Sequence, residues 1–202
     1  MSGASTLLMS GVGATAPASP TGVTATAVCT KSASVSFSAP DNGGSPITSY
    51  RVTASPGGFF NTGSFSPITV PGLTRGASYT FTVTATNAIG TSPASSASNA
   101  ITATDAPGAP TIGVLTKTGE NALSVTFTAP ADNGGSAITQ YRVFFDDETA
   151  QTTGGTVFVS GSPATLSGAG SVVTGRAYSA KAYAMNATCE SVGSAESNIV
   201  TA

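Results

Sequence analysis

Residues 35–52 read VSFSAPDNGGSPITSYRV, and residues 125–143 repeat that stretch as VTFTAPADNGGSAITQYRV. The two copies differ in length by one inserted residue, Ala131. Further matches follow in the same order along the chain, and the last of them pairs Ser98-Asn99 with Ser197-Asn198. An internal repeat that keeps its order over most of the chain predicts two homologous structural units in succession.

Each repeat is built from apolar residues that alternate with polar ones. In the quoted stretch serine alternates with valine and phenylalanine, and the longest such run, Tyr79–Ala85, reads YTFTVTA. This period of two is typical of strands with one buried face. Asn-Gly, Pro-Gly and Gly-Gly pairs separate the runs, and no segment shows a helical period. The sequence therefore predicts two all-β domains, 17–104 and 105–202, behind a short N-terminal extension, 1–16.

The stretch from Leu73 to Gly90, LTRGASYTFTVTATNAIG, completes a set of motifs that resembles tandem fibronectin type III domains. The other motifs are the Val-x-Phe-x-Ala-Pro strand, the Asp-Asn-Gly-Gly turn and the Ile-Thr-x-Tyr-Arg-Val strand. The resemblance implies that each repeat is an immunoglobulin-like β-sandwich. It also implies structural tyrosine corners at Tyr79 and Tyr178, where the phenol hydroxyl bonds back to the main chain.

Charged residues are few, and none is histidine. The 202 residues include seven Lys and Arg and nine Asp and Glu, for a net charge of −2. So few cations exclude nucleic acid as a partner, because such binding depends on neutralising phosphates. The lack of histidine excludes Ser-His-Asp triads, Cys-His nucleophiles and histidine-bound metals. No apolar run approaches the length of a membrane span. We therefore expect no enzyme, no cofactor and no metal centre.

Two polar features have a functional and a structural interpretation. Asp146, Asp147 and Glu148 could act as acid and base or hold calcium. They directly follow a predicted strand, however, where a polar hairpin tip is expected, and one short cluster supplies too few calcium ligands. The two Asp-Asn-Gly-Gly-Ser loops could bind a ligand. Their near-identity favours tight turns instead, since Asn-Gly and Gly-Gly supply positive φ.

The cysteines and the N-terminus indicate the cellular compartment in which the protein folds. Cys29 and Cys189 lie one in each repeat, at non-equivalent positions, which predicts free thiols and folding in a reducing cytoplasm. Residues 1–16 contain no Lys or Arg and no long apolar run, so we expect no secretory signal. Without export, the glycosylation motif Asn186-Ala187-Thr188 carries little weight.

The resemblance implies a structural or interaction module. The chain also resembles small accessory virion proteins of tailed bacteriophages, which carry one or two such domains behind a short N-terminal segment, and this resemblance implies a decoration protein of the virion, in the head or the tail. Free thiols and the missing signal fit such a protein, because it is made in the host cytoplasm. The candidate docking residues, which would contact capsid or tail proteins, are Leu7, Leu8, Met9 and Val12. The sandwiches would be present in many copies and make weak contacts with host-surface glycans. The alternative is a bacterial extracellular surface or carbohydrate-associated adhesion module.

Overall fold

The computed structural model describes residues 13–168 and 170–202. In that part of the chain every regular element is a β-strand, so the predicted all-β class is confirmed. The first repeat contains β1 (Thr21–Val28), β2 (Ser32–Ser38), β3 (Ile47–Ser55), β4 (Phe60–Gly63), β5 (Ile68–Val70), β6 (Ser78–Asn87) and β7 (Ile101–Thr102). The second contains β8 (Thr111–Gly119), β9 (Ala122–Thr128), β10 (Ile138–Asp147), β11 (Thr152–Val159), β12 (Ala164–Ser167), β13 (Ala177–Asn186) and β14 (Val200–Thr201). The same residues include no helix that could span a membrane.

Each repeat forms one three-stranded and one four-stranded sheet. The orders are β1-β2-β5 and β4-β3-β6-β7 in the first repeat, and β12-β9-β8 and β11-β10-β13-β14 in the second. The central strands of the larger sheets, β3 with β6 and β10 with β13, pair antiparallel. This arrangement is that of two immunoglobulin-like β-sandwiches, as the sequence motifs predict.

Contacts between Cα atoms divide the chain into two compact units. The first unit contains the described residues up to Thr26, Ser34–Val70 and Tyr79–Ala100. The second unit contains Ala27–Ala33, Pro71–Ser78 and Ile101–Ala202. The domain boundaries 17–104 and 105–202 stay a prediction. Two short segments of the first repeat, Ala27–Ala33 and Pro71–Ser78, have most of their contacts with the second unit.

Alternate side chains of the strands enter the cores. On β10, Tyr141, Val143 and Phe145 are buried, and they pack in the core of the second unit with residues of β9, β12 and β13. Residues of the other parity, such as Arg142, lie on the outer side of the sheet. A β-strand directs successive side chains to opposite faces, so the period of two in the sequence fixes which residues remain outside.

A line of three serines lies along β6 in the first unit, and we call it the serine ladder. Ser92, Ser95 and Ser98 donate their backbone N–H groups to carbonyls of Ala85, Val83 and Phe81 over 2.8, 2.9 and 2.9 Å. Their Oγ atoms accept the backbone N–H groups of the same three residues over 3.0, 2.9 and 3.1 Å. Three ladder residues stand opposite every two residues of β6, so the hydroxyl supplies the acceptor that a regular strand would supply as a carbonyl.

Directly after the ladder, an asparagine connects the edge to the other sheet. Asn99 accepts the N–H of Ala25 on β1 through Oδ1 and donates Nδ2 to the carbonyl of Ala25, both over 2.9 Å. The second unit repeats the arrangement on β13 and β8, through Ser191, Ser194, Ser197 and Asn198. The Ser-x-x-Ser-x-x-Ser-Asn motif therefore joins the two sheets of each sandwich.

The cysteines are not free thiols. Cys29, which follows β1, and Cys189, which follows β13, form a disulfide with their Cα atoms 5.5 Å apart. The prediction of free thiols was wrong because it assigned each cysteine to its own repeat. In the folded chain Ala27–Ala33 belongs to the second unit, together with Cys189.

Replacing Ser95 with alanine should destabilise the protein. The substitution leaves the buried N–H of Val83 without its acceptor, which costs about 1–3 kcal/mol. Urea denaturation of Ser95→Ala should show this loss in the free energy of unfolding. Ser96→Ala is the matched control, because Ser96 is exposed and should change stability by less than about 0.5 kcal/mol. Equal effects of the two substitutions would contradict the role of the ladder.

Opening the disulfide should also lower stability. A cross-link between residues 160 positions apart restricts the unfolded chain strongly, and removal of such a bond costs about 2–5 kcal/mol. We expect the urea midpoint to fall when dithiothreitol is added to the oxidised protein. The Cys29→Ser/Cys189→Ser variant should have the lower midpoint in both conditions, and a shift of that variant on reduction would point to another cause.

Candidate functional site

The Asp-Asn-Gly-Gly loops are held together by their own polar atoms. Asp41 Oδ1 accepts the N–H of Gly43 over 2.8 Å, and Asn42 Oδ1 accepts the N–H of Gly44 over 2.9 Å. Gly43 has a φ of 65°, and a Cβ at this position would lie 2.5 Å from the carbonyl oxygen of Thr15. The corresponding loop of the second repeat makes the same pair of bonds. The loops are therefore structural turns, because Oδ1 of each Asp and Asn closes the turn onto the N–H of a glycine two residues later.

The asparagine of the glycosylation motif is also structural. Asn186 is 5% exposed, and its Nδ2 donates to the carbonyls of Asp105 and Asn133 over 2.9 and 3.1 Å. Its Oδ1 accepts the N–H groups of Thr188 and Cys189. With the side-chain nitrogen buried and bonded on both sides, the folded protein does not present Asn186 to an enzyme that attaches sugars.

The acidic residues of the β10–β11 hairpin are bonded within the hairpin and to its neighbours. Asp147 is 3% exposed and accepts Arg176 Nη1 over 2.8 Å. Glu148 Oε1 accepts the hydroxyl of Ser179 over 2.5 Å. Beside them is an open depression of about 380 Å³. Residues 13–168 and 170–202 contain no group of acidic, cysteine or histidine side chains placed to hold a metal ion.

The pKa values of the two adjacent aspartates move in opposite directions. Burial raises the pKa of Asp146. Burial has the same tendency at Asp147, but the hydrogen bond from Arg176 and the N–H groups of Ala150 and Thr149 outweigh it and lower the pKa of that carboxyl. Asp147 is thus held as a carboxylate that anchors the turn, since it is bonded to Arg176 and to the N–H groups of Thr149 and Ala150.

The other residues singled out in the sequence have separate positions. Tyr178 is buried, and its hydroxyl oxygen accepts the N–H of Val173 over 2.9 Å, the bond that a tyrosine corner makes. Tyr79 is also buried, and its ring lies edge-on to Phe59 with the centroids 5.9 Å apart. The candidate docking residues lie outside the described part of the chain; they are Leu7, Leu8, Met9 and Val12.

The outer side of the four-stranded sheet of the second unit carries a group of aromatic residues around an arginine. Arg142 on β10 stands directly opposite Phe158 on β11 and Tyr183 on β13. Its guanidinium carbon lies 4.6 Å from the ring centroid of Phe144 and 5.2 Å from that of Tyr183. We call these four residues the aromatic face. Phe158 is 53% exposed on β11, the edge strand of this sheet, so its ring is open to solvent.

The cations on this side of the sheet are neutralised by neighbouring carboxylates. Arg142 Nη2 lies 2.6 Å from Glu190 Oε2, and Lys181 Nζ lies 2.7 Å from Glu196 Oε1. Two polar atoms of the first pair, Arg142 Nε and Glu190 Oε1, are buried without a hydrogen-bond partner. The surface therefore offers aromatic rings, two paired cations and one further carboxylate, Asp146, which has the same parity on β10 as Arg142.

The first unit has a smaller group of the same kind. The guanidinium carbon of Arg51 on β3 lies 3.8 Å from the ring centroid of Phe60 on β4, and Phe60 is 52% exposed. Arg51 occupies the position in the first repeat that Arg142 occupies in the second. An arginine beside an exposed aromatic ring is thus common to both sandwiches, because a cation over the face of a ring is attracted to it.

The sequence analysis missed the aromatic face, although one signal was present. Tyr141, Val143 and Phe145 point inward, so the period of two places Arg142 and Phe144 outside. The outward position of Phe144, next to the inward Phe145, could therefore have been predicted from the sequence. Phe158 had no such signal, because the glycines at the start of β11 interrupt its alternation.

The family model of the fibronectin type III domain matches residues 18–101. That stretch is therefore a fibronectin type III domain, and such domains are in general non-catalytic modules. Chitinase A1 of Niallia circulans is 34% identical to this chain over an alignment of 167 residues, and the match covers 78% of this chain and 22% of the chitinase. The chain thus spans about a fifth of the length of that relative.

One solved structure shows the same fold, and a second is similar in sequence. The crystal structure of the chicken CNTN1 FN1-FN3 domains superposes with a TM-score of 0.67 at 16% identity, covering 93% of this chain and 68% of that one. A segment of two fibronectin type III domains from chicken tenascin is 21% identical, with a TM-score of 0.41 and coverage of 91% and 99%. At this level of identity the first likeness indicates the fold alone.

Replacing Asp147 with asparagine should change how stability depends on pH. A lowered pKa means that the carboxylate stabilises the fold above the pKa of about 3.9 of an unfolded aspartate, and that this contribution is lost as the pH falls through the lowered value. Asp147→Asn should therefore unfold at lower urea concentration at pH 7, and its difference from the native protein should shrink below about pH 4.

Asp146→Asn is the matched control, because burial raises the pKa of Asp146 and disfavours its charged form. This variant should be as stable as the native protein at pH 7, or more stable. Urea midpoints between pH 2 and pH 7 test both variants. A deficit of Asp147→Asn that is the same at every pH would contradict the assignment.

Proposed function

We propose that this chain is a non-catalytic module of an extracellular protein, and that it holds a neutral polysaccharide against the aromatic face. The observation that carries the proposal is the row of Phe158, Arg142 and Tyr183 across three strands, in which Phe158 is exposed and the other two are half-buried. Aromatic rings pack against the C–H faces of pyranose rings, and planar charged side chains bond to the sugar hydroxyls. A flat sheet surface suits an extended polymer better than a small ligand, which requires a concave pocket.

Charge narrows the class of polymer. The two cations on this side of the sheet are paired with Glu190 and Glu196, so an acidic polysaccharide finds no free cation among these groups. A polymer of neutral sugars satisfies the paired groups through hydroxyls, which both donate and accept hydrogen bonds. The 34% identity with part of a chitinase supports a β-linked, chitin-like polymer as the first to test.

An extracellular setting is supported by the disulfide. Bonds of this kind form and persist in oxidising environments and are rare in a reducing cytoplasm, and Cys29 is bonded to Cys189. The virion setting expected from the sequence depended in part on free thiols. The relatives described above give it no support, and its docking residues lie outside the described residues. The surface or carbohydrate-associated setting, given above as the alternative, is therefore the one proposed.

Binding to insoluble polysaccharide tests the proposal. The chain should be depleted from solution by chitin beads, and Phe158→Ala should weaken the isotherm about tenfold, or about 1.4 kcal/mol, because the substitution removes the most exposed ring of the aromatic face. The matched control is Phe65→Ala, since Phe65 is 76% exposed in a loop outside the face and should have no effect. Absence of binding to both chitin and cellulose would overturn the proposed function.

A further inference from the structure

The disulfide closes most of the chain into one covalent ring. Cys29 and Cys189 are 160 positions apart, so every strand from β2 to β13 lies between them. Outside the ring remain β1, with the residues before it, and the residues from Glu190 onward, which include β14. Once the two cysteines are bonded, this topology follows from their positions in the sequence.

We propose that the disulfide carries the load when the chain is pulled from its two ends. Tension applied at the ends passes along β1 to Cys29, across the two sulfur atoms to Cys189, and out along the last residues. Residues 30–188 then form a side loop that bears no tension. The hydrogen bonds of the strands within that loop are not pulled apart, because the covalent path around them is already taut.

The hydrogen bonds of the end segments still bear the load. At one end, β1 pairs with β2 in its sheet. At the other end, Ser191, Ser194 and Ser197 hold the last residues to β13 through paired backbone and hydroxyl bonds. Pulling therefore detaches these two edges first and stops at the cysteines, with the strands between them still folded.

Such a device suits a module placed between an anchored part and a moving part of a larger molecule. The inference does not rest on the proposed binding of polysaccharide, since it needs only the covalent ring. The aromatic face lies on β10, β11 and β13, which are all within the ring. The rings and Arg142 of the proposed binding surface would therefore bear no tension, whereas Glu190 and Glu196, which pair with its cations, lie on the segment that detaches.

Single-molecule pulling with handles on the two termini tests the proposal. A residue of extended chain spans at most about 3.3–3.6 Å, so the residues outside the ring reach roughly 15 nm and the whole chain roughly 70 nm. The oxidised protein should extend no further than the shorter length at forces that unfold sandwiches. Cys29→Ser should extend to the longer length, with additional unfolding steps.

Two further measurements guard against a variant that fails to fold. Cys189→Ser opens the same ring from the other side, and the circular dichroism of each variant reports its strand content. Dithiothreitol opens the Cys29–Cys189 bond without any substitution. It gives two electrons and two protons to the disulfide, which becomes two thiols, and is itself oxidised to a cyclic disulfide. Added under tension, it should release roughly 55 nm in the native chain. Extension of the oxidised chain to roughly 70 nm before any reductant is added would overturn the proposal.

Discussion

The serine ladder places three of its residues opposite every two residues of the strand beside it, and each sandwich depends on how the hydrogen bonds accommodate this difference. A strand edge presents its N–H and C=O groups at every second residue, and a segment with a period of three cannot meet them with its backbone alone. Serine at each third position supplies the missing acceptor, and its hydroxyl proton goes to the following carbonyl, as from Ser95 to Ser96. The asparagine that follows then fixes this edge to the opposite sheet. A serine-rich segment that shows neither a strand period nor a helical period in the sequence therefore completes each sandwich.

The alternation of residues made the fold class, most of the strands and the buried faces predictable from the sequence. It did so because a strand with one buried face leaves a period of two, and the repeat showed that pattern twice. Tyr178 was predictable as a corner through its motif, and its hydroxyl bonds to Val173. The serine ladder left only the shared Ser-Asn pair as a trace, because its period of three matches neither a strand nor a helix.

The disulfide and the aromatic face could not be predicted in the same way. Whether Cys29 meets Cys189 depends on which short segments join which compact unit, and that is a property of packing and not of order along the chain. The aromatic face requires the register of three strands, since Phe158, Arg142 and Tyr183 are neighbours only across hydrogen-bonded pairs. A single sequence gives the parity of each residue but not the partner opposite it, so Phe144 was recoverable and Phe158 was not.

The buried amide of Asn186 has a consequence for how the protein can be produced. In a eukaryotic secretory pathway, Asn-x-Thr motifs receive glycans while the chain is still emerging and unfolded. A glycan on Asn186 would occupy the nitrogen that donates to Asp105 and Asn133, and it would place a bulky polar group where the side chain is 5% exposed. Glycosylation at this asparagine and the native fold therefore exclude each other. A yeast or insect-cell host would divide the product into a folded, unmodified fraction and a glycosylated fraction that cannot close its second sandwich.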